Sequence, residues 1–469
     1  MSSKSIKMII PVLVIVILWF IPGPSGLSVN AWHFLGIFFG VVVGLILEPI
    51  PSALIGFTGI SLVALLGLIS PSPKANISWA LSGFSNTVIW LIFAAFMFAL
   101  GYKKTGLGNR ISLLMIKYMG KSSLGLGYAV AFSDLILAPF MPSNTARSAG
   151  TIFPVASNIP LIFNSKPDHE PRKLGSYITW VAMTTTCITS SMFLTALAPN
   201  LLAVDLINQG SKHLITWGEW AKIMIPLMVP LFIVSPWLIY VIYPPTQKKS
   251  PEAPAWAKKE LEKIGGISKK EILMGVMAIV ALVLWIFGKE FGIHSTTVAI
   301  CVVAVLVLTN VISWDDVISN KTAFNTFIWF SSLVAMASGL KKVGILDWIG
   351  VNAQTYLATL SPTMLIVSML VFFFLLHYFF ASVTAHVTAL VPIFIAIAIK
   401  LVPEAQIVPF EVLLAGSLGV MGIITPYGTG PSPVWYGSGY VKQATWWGLG
   451  LIFGVIYFAA IIIGSFIYI

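Results

Sequence analysis

Two short polar stretches interrupt a chain that is otherwise built for lipid. The first, Phe140 to Gly150, reads FMPSNTARSAG and puts Ser143, Asn144, Thr145 and Arg147 within five residues. The second, SVTAH, holds Ser382, Val383, Thr384 and His386. Hydroxyl and amide side chains of this kind cap helix N-termini, where backbone N–H groups lack partners and the helix dipole leaves partial positive charge. A helix that starts at such a tip can hold an anion, and two facing tips suit an anion with a carboxylate at each end. Capping alone accounts for a single tip. A second tip at an equivalent place turns both toward binding.

Arg147 sharpens the question. A guanidinium near the bilayer centre costs several kcal/mol and cannot shed its proton, so it needs a fixed counter-charge or a bound anion. Asp134 is the one acidic residue we read as lying well inside a span or hairpin. It precedes the tip by nine residues, about 13 Å along a helix, whereas Arg147 follows the tip by two to four residues, about 3–6 Å. The two are expected at different depths, which disfavours a salt bridge and leaves Arg147 for a ligand. His386 stands at the matching place in the second stretch and is neutral or cationic according to its surroundings.

The elements that must position these residues are membrane helices. Hydrophobic residues make up 58% of the 469 and charged residues only 9%, which excludes an ordinary soluble domain. Apolar stretches near 8–21, 31–47, 53–69, 86–102, 175–198, 220–243, 272–288, 295–312, 325–340, 408–424 and 446–468 can each cross all or most of a roughly 30 Å hydrocarbon layer. That predicts an all-α polytopic membrane protein with about 11 transmembrane helices. Two more apolar segments, about 124–163 and 361–399, are broken by MPSNTAR and ASVTAH and are predicted as re-entrant helical hairpins. Polar breaks at such depth survive only inside protein or beside a water-filled cavity.

Two later spans are broken as well, at TALAPNLLA (195–203) and ITPYGTGPSPVWYGSG (424–439). Pro199 and Asn200 are compatible with a simple kink. The density of proline and glycine from Thr425 to Gly430 is too high for one, and predicts unwound backbone that opens Thr425, Pro426, Tyr427, Gly428 and Thr429 to ligand. Tyr427 and Trp435 are expected to shape the pocket.

The opening MSSKSIKMII runs directly into the first span without a small-residue cleavage site, so a retained helix is expected there, not a signal or transit peptide. Cys187 and Cys301 both fall in spans, which argues against a disulfide framework or a cysteine metal site, and neither metal nor cofactor is expected. The net charge of +11 would suit nucleic acid if the lysines formed a face. They follow the positive-inside pattern instead, which places the N-terminus and the 243–271 connection in the cytoplasm and predicts no nucleic-acid partner. That connection reads as a linker with an interfacial helix.

The halves of the chain echo each other. NTVIW at 86–90 recurs as NTFIW at 325–329, and SNTAR at 143–147 as SVTAH at 382–386, both at an offset of 239 residues. The expected organisation is a first helix and outer loop (1–29), a first repeat (30–242, hairpin 124–163), the linker (243–271) and a second repeat (272–469, hairpin 361–399). Five spans and one hairpin per repeat invert the second repeat in the membrane, as in secondary transporters that bind substrate near the midplane. No HExxH, GxSxG or pair of intramembrane aspartates supports an embedded enzyme, and no catalytic residue is expected. Inverted broken hairpins suit alternating access better than a channel.

On these residues the chain resembles, over nearly its whole length, the divalent anion/sodium symporter superfamily of di- and tricarboxylate carriers. The resemblance implies one carboxylate at Ser143, Asn144 and Thr145 and the other at Ser382, Val383 and Thr384, with Pro199-Asn200 and the Thr425 to Gly430 segment closing two cation-type subsites. It also implies an elevator-type carrier with scaffold and transport domains, set in membrane lipid as a homodimer. The sodium-coupled branch has Asn where Val383 stands, and Arg147 and His386 put charge close to where sodium would sit. SVTAH and TPYGTGPSPVWYGSGY are similar to the exchanger branch, the bacterial and plastid 2-oxoglutarate/malate translocators. Without a transit peptide, the bacterial plasma membrane is the expected location.

The resulting expectation is sodium-independent antiport of C4 to C5 dicarboxylates such as 2-oxoglutarate, malate, succinate and fumarate, with Arg147 and His386 compensating charge in place of sodium. A built-in cation cannot leave with the substrate. If moving it unpaired adds on the order of 5 kcal/mol, return of the empty carrier slows by roughly 10³ to 10⁴, which enforces exchange. A sodium-coupled di- or tricarboxylate symporter is the alternative, differing in coupling alone.

Overall fold

A computed structural model describes residues 3–288, 290–380 and 382–469, with side chains from residue 5 onward; Ala381, the first residue of the ASVTAH break, lies outside the described residues. Apart from one isolated bridge between Ser122 and Lys249, all regular structure described is helical, and a helix covers each of the eleven predicted spans. Nine helices among the described residues are long and apolar enough to cross a membrane, and three of these are hairpin arms: Ser123–Phe140, Pro362–Phe379 and Val383–Leu401. Gly175–Met192 is long enough but falls outside that set by composition. Eight of its eighteen residues are Ser or Thr and all eighteen are buried, because hairpin, span and neighbouring helices enclose it on every side.

The two repeats share an element order. A short helix (Pro73–Ala80 or Trp314–Ile318) leads to a long one (Thr87–Thr105 or Lys321–Lys342), then to a third (Leu107–Met119 or Ile345–Leu357), then to the hairpin. The sharp turn before each third helix needs a left-handed residue, and glycine supplies it both times, at Gly106 (φ +77°) and Gly344 (φ +82°).

The helices sort into two packed groups. A frame group comprises Val29–Leu47, Ser52–Leu65, Thr87–Thr105, Ser295–Leu308 and Lys321–Lys342. A hairpin group comprises both hairpins, Gly175–Met192, Ala198–Ser211, Glu404–Val420 and Gln443–Tyr468. The linker helix Glu252–Ile264 packs on Leu107–Met119. Arg110 fastens this region, donating from Nε to Glu271 Oε1 at 2.5 Å and from its two terminal nitrogens to Gly265 O at 3.0 Å and Gly266 O at 3.2 Å. Arg110→Ala leaves the buried Glu271 carboxylate with the Ser268 N–H and no counter-charge, and is expected to cost about 1.5–3 kcal/mol, the range of a charged hydrogen bond. A melt of the detergent-solubilised protein reads this, and adding Glu271→Gln to Arg110→Ala is expected to recover part of the loss.

Candidate functional site

The two tips are capped alike. Ser143 Oγ accepts from the Ala146 N–H at 3.2 Å while the Ser143 carbonyl accepts from Arg147 N–H at 2.9 Å. In the second repeat Ser382 Oγ accepts from Ala385 N–H at 3.4 Å and the Ser382 carbonyl from His386 N–H at 3.1 Å. Each pair keeps the 239-residue offset, so both serines hold the first turn of a returning arm. The arms then differ: Thr145–Ile152 winds as a π-helix, whereas Val383–Leu401 is α-helical. Widened turns of this kind are frequent at functional sites.

Both hairpins converge on the second break. Asn144 Nδ2 donates to Thr429 Oγ1 at 2.7 Å, and Thr145 Oγ1 lies so close to Gly430 that a Cβ there would sit 1.8 Å from it. His377, at the end of the first arm of the other hairpin, bonds through Nε2 to Gly428 O at 2.8 Å. Thr425 to Gly430 holds no regular helix, and Thr425 Oγ1 is buried without a hydrogen-bond partner among the described residues. Thr145 is exposed and Ser143 and Ser382 are half-buried, whereas Asn144, Val383 and Thr384 are buried. Pro426 is half-buried and Gly428 buried, while Tyr427 is exposed and packs against Trp447. Trp435 is buried behind the first hairpin, its ring edge-on to Phe153 and its Nε1 donating to Ser148 Oγ at 2.9 Å, so it braces that arm.

Pro199 and Asn200 open the helix Ala198–Ser211, whose first N–H, from Ala198, donates to Pro142 O at 2.6 Å. The break therefore abuts the first tip. Asn200 Nδ2 donates to Ser190 O at 2.7 Å, and its Oδ1 is buried without a hydrogen-bond partner among the described residues.

The expectation of a depth mismatch at Arg147 is overturned. Arg147 is fully buried and its Nε lies 3.2 Å from both carboxylate oxygens of Asp134. The regular helix of the first arm ends at Leu137 and a 3-10 turn, Ala138–Phe140, leads into the tip, so a straight-helix projection of Asp134 fails. Arg147 then reaches back with a long side chain. Its Nη1 donates to Met141 O at 2.9 Å and Ala196 O at 2.8 Å, one carbonyl from the hairpin and one from the first break. Nη2 meets Thr186, Thr189 and Ser190 at 3.1–3.4 Å, and Thr189 Oγ1 also donates to Asp134. The hydroxyl-rich run TTTCITSS in Gly175–Met192 is the sequence signal for this socket.

His386, the repeat-mate of Arg147, has a different setting. It is fully buried, with rings of Phe373, His377 and Phe380 at 4.4, 5.2 and 5.3 Å, and neither nitrogen has a hydrogen-bond partner among the described residues. Nor is Asp134 the only acidic side chain inside the helical body. Asp205 and Glu411 are buried too, at 4% and 0% exposure.

The arrangement brings hydroxyl, amide and imidazole groups of the two capped hairpins to unwound backbone, groups of the kind that hydrogen-bond a small polar ligand. Comparison with known proteins agrees with a carrier of this kind. The family model described as the sodium:sulfate symporter transmembrane region matches residues 2–468. An L-tartrate/succinate antiporter of Escherichia coli (strain K12) is 46% identical over 475 residues, covering 98% of this chain and 97% of that protein. Its counterpart in Shigella sonnei (strain Ss046) is equally similar, with the same coverage. Among solved structures, the YdaH transporter of Alcanivorax borkumensis matches with a TM-score of 0.61 at 12% identity, covering 88% of this chain and 97% of that one. MtrF of Neisseria gonorrhoeae matches with a TM-score of 0.55 at 13% identity, covering 99% and 94%. At those identities the structural likeness speaks to the fold alone.

Proposed function

The chain belongs to the family of the sodium:sulfate symporter transmembrane region, and from that premise we propose that this multi-pass membrane transporter, not an enzyme, is a sodium-independent dicarboxylate antiporter. The observation that carries the site is the convergence of both hairpins on Thr425 to Gly430, through Asn144–Thr429 and His377–Gly428. One substrate carboxylate meets the tip at Ser143, Asn144 and Thr145, the other the tip at Ser382 to Thr384, with Thr425 to Thr429 and Pro199-Asn200 closing the two ends. Relatives named for L-tartrate and succinate support C4 dicarboxylates as substrates, with malate, fumarate and C5 2-oxoglutarate in the same class.

Arg147 takes the place of an ion in a specific sense. Sodium in broken-helix carriers is held by unwound backbone carbonyls, and the guanidinium bonds two such carbonyls, Met141 O and Ala196 O. Asp134 balances its charge, so the stall of the empty carrier does not come from a bare cation. It comes from the tips, whose amides and hydroxyls lose their ligand in a dry barrier. At about 1–3 kcal/mol per unsatisfied buried group, a few of them slow the empty return enough to couple the two fluxes. In this scheme the hairpin group moves against the frame group as an elevator, the frame holds a homodimer interface, and the N-terminus and 243–271 linker face the cytoplasm of a bacterial plasma membrane.

Proteoliposomes containing the purified protein test this. Uptake of radiolabelled succinate is expected to require unlabelled dicarboxylate inside and to be equal in sodium and sodium-free buffer. Uptake driven by a sodium gradient into vesicles lacking internal substrate would reject the antiport reading in favour of a symporter.

A further inference from the structure

The repeated motif NTVIW/NTFIW is not used by the candidate site, yet its first asparagine makes one of the few polar contacts between the two helix groups. Asn86 caps the frame helix Thr87–Thr105, its Oδ1 accepting from Val88 and Ile89 N–H at 2.8 and 3.3 Å. Its Nδ2 donates to Asp205 Oδ1 at 2.8 Å, and Gln209 Nε2 donates to Asp205 Oδ2 at 2.7 Å. Asp205 lies in Ala198–Ser211, the helix that starts at the first break beside the tip. At the other end of that helix, Lys341 from the frame helix Lys321–Lys342 donates to Gln209 O at 2.7 Å and Gly210 O at 3.2 Å, where the helix dipole favours a cation. The repeat-mate Asn325 is exposed within the helix Lys321–Lys342 and its side chain makes no hydrogen bond among the described residues, so the pin exists in one repeat only.

We propose that Asn86, Asp205 and Lys341 form a latch that pins the substrate-site helix to the frame and is handed over during each exchange step. The inference rests on the antiporter reading, since alternating access requires the site to move relative to some fixed part of the molecule. When Asn86 withdraws, Asp205 keeps Gln209 on Oδ2, but its Oδ1 loses its donor and is costly to leave buried and unpaired. The Lys341 ammonium already holds carbonyls one turn further along the same helix, about 6 Å from the level of Asp205. A slide of about one turn brings carboxylate and ammonium together, a ratchet step of the kind that packed helices allow. Asp205 is thus bound by Asn86 in the conformation described and by Lys341 in the alternate one. The three residues are positioning residues and touch no substrate.

The test uses full-length protein in proteoliposomes with Cys187→Ala and Cys301→Ala as background. Asn86→Cys and Asp205→Cys are added and joined with a short bifunctional thiol reagent cleavable by reductant. Exchange is expected to fall by at least roughly tenfold on cross-linking, because a covalent tie holds the two helices in one register, and to return on cleavage to the rate of the unlinked cysteine pair. A cross-linked carrier that exchanges at its unlinked rate overturns the latch. Should the cysteine pair impair folding, Lys341→Met is the second arm. Its exchange is expected to slow roughly tenfold while succinate binding in detergent keeps the wild-type affinity, and unchanged exchange would remove Lys341 from the scheme. Succinate binding by the wild-type protein is independent of the latch. Its absence would sink the antiporter reading, whereas its presence beside a failed cross-link result would sink the latch alone.

Discussion

Asp134→Asn is expected to cost about 3–5 kcal/mol of stability, the penalty for leaving a buried guanidinium uncompensated. Arg147 is fully enclosed, and its remaining partners are two carbonyls and three hydroxyls, none of which carries formal charge. The variant is therefore expected to lose monodispersity in detergent or to melt far below the wild type. Removing both charges, as Asp134→Asn with Arg147→Gln, is expected to restore most of the stability, because a neutral pair of similar size needs no counter-ion. Exchange is not expected to return with it. Without the guanidinium, nothing spans the Met141 and Ala196 carbonyls, and among the described residues the first hairpin is tied to the first break only through Ala198 N–H to Pro142 O and Thr195 Oγ1 to Pro139 O. A stable Asp134→Asn protein that binds dicarboxylate more tightly than wild type would show instead that Arg147 serves the substrate directly.

Gly430→Ala separates function from folding in the opposite direction. A Cβ at 430 would stand 1.8 Å from Thr145 Oγ1 and 3.2 Å from Thr145 Cβ, so the threonine must turn its hydroxyl away. Thr145 is exposed and can rotate, which limits the folding cost to about 1–3 kcal/mol. The hydroxyl is one of the groups assigned to a substrate carboxylate, and displacement of about 1 Å is enough to lower a rate by roughly 10². Exchange is expected to fall by about that factor while the melting curve shifts by only the few degrees that this cost implies. Combining Gly430→Ala with Thr145→Ala restores room for the methyl group but not the hydroxyl, so the melt is expected to recover and exchange is not. Full exchange in Gly430→Ala would remove Thr145 from the site.

Much of this was legible in the residues themselves. Spans followed from apolar length, and the matched tips at Ser143 and Ser382 followed from capping chemistry and a shared offset, since local hydrogen bonding obeys local rules. The partner of Arg147 was not legible, because its position depends on where a helix stops. Counting residues from Asp134 to the tip presumed an unbroken helix, and the 3-10 turn at Ala138–Phe140 carries no signature beyond Pro139. Asp205 and Glu411 escaped for another reason. Apolar averaging sets span limits by the surrounding leucines and valines, and a single carboxylate in such a run looks like a span end. Only packing shows that Asp205 faces Asn86, 119 residues away in sequence. Trp435 was expected to shape the pocket and instead supports the arm behind it, a distinction that depends on side-chain direction.

The complete enclosure of Gly175–Met192 has a consequence for how the chain is made. A translocon tests each emerging segment against lipid before its later neighbours exist, and eight hydroxyl side chains make this one a weak candidate for lateral release on its own. Its eventual wrapping includes Glu404–Val420, which leaves the ribosome more than 200 residues later. The helix that supplies the socket for Arg147 thus stays provisional through nearly half of synthesis, and its assembly is a late event in biogenesis, completed from within the bilayer by the second repeat.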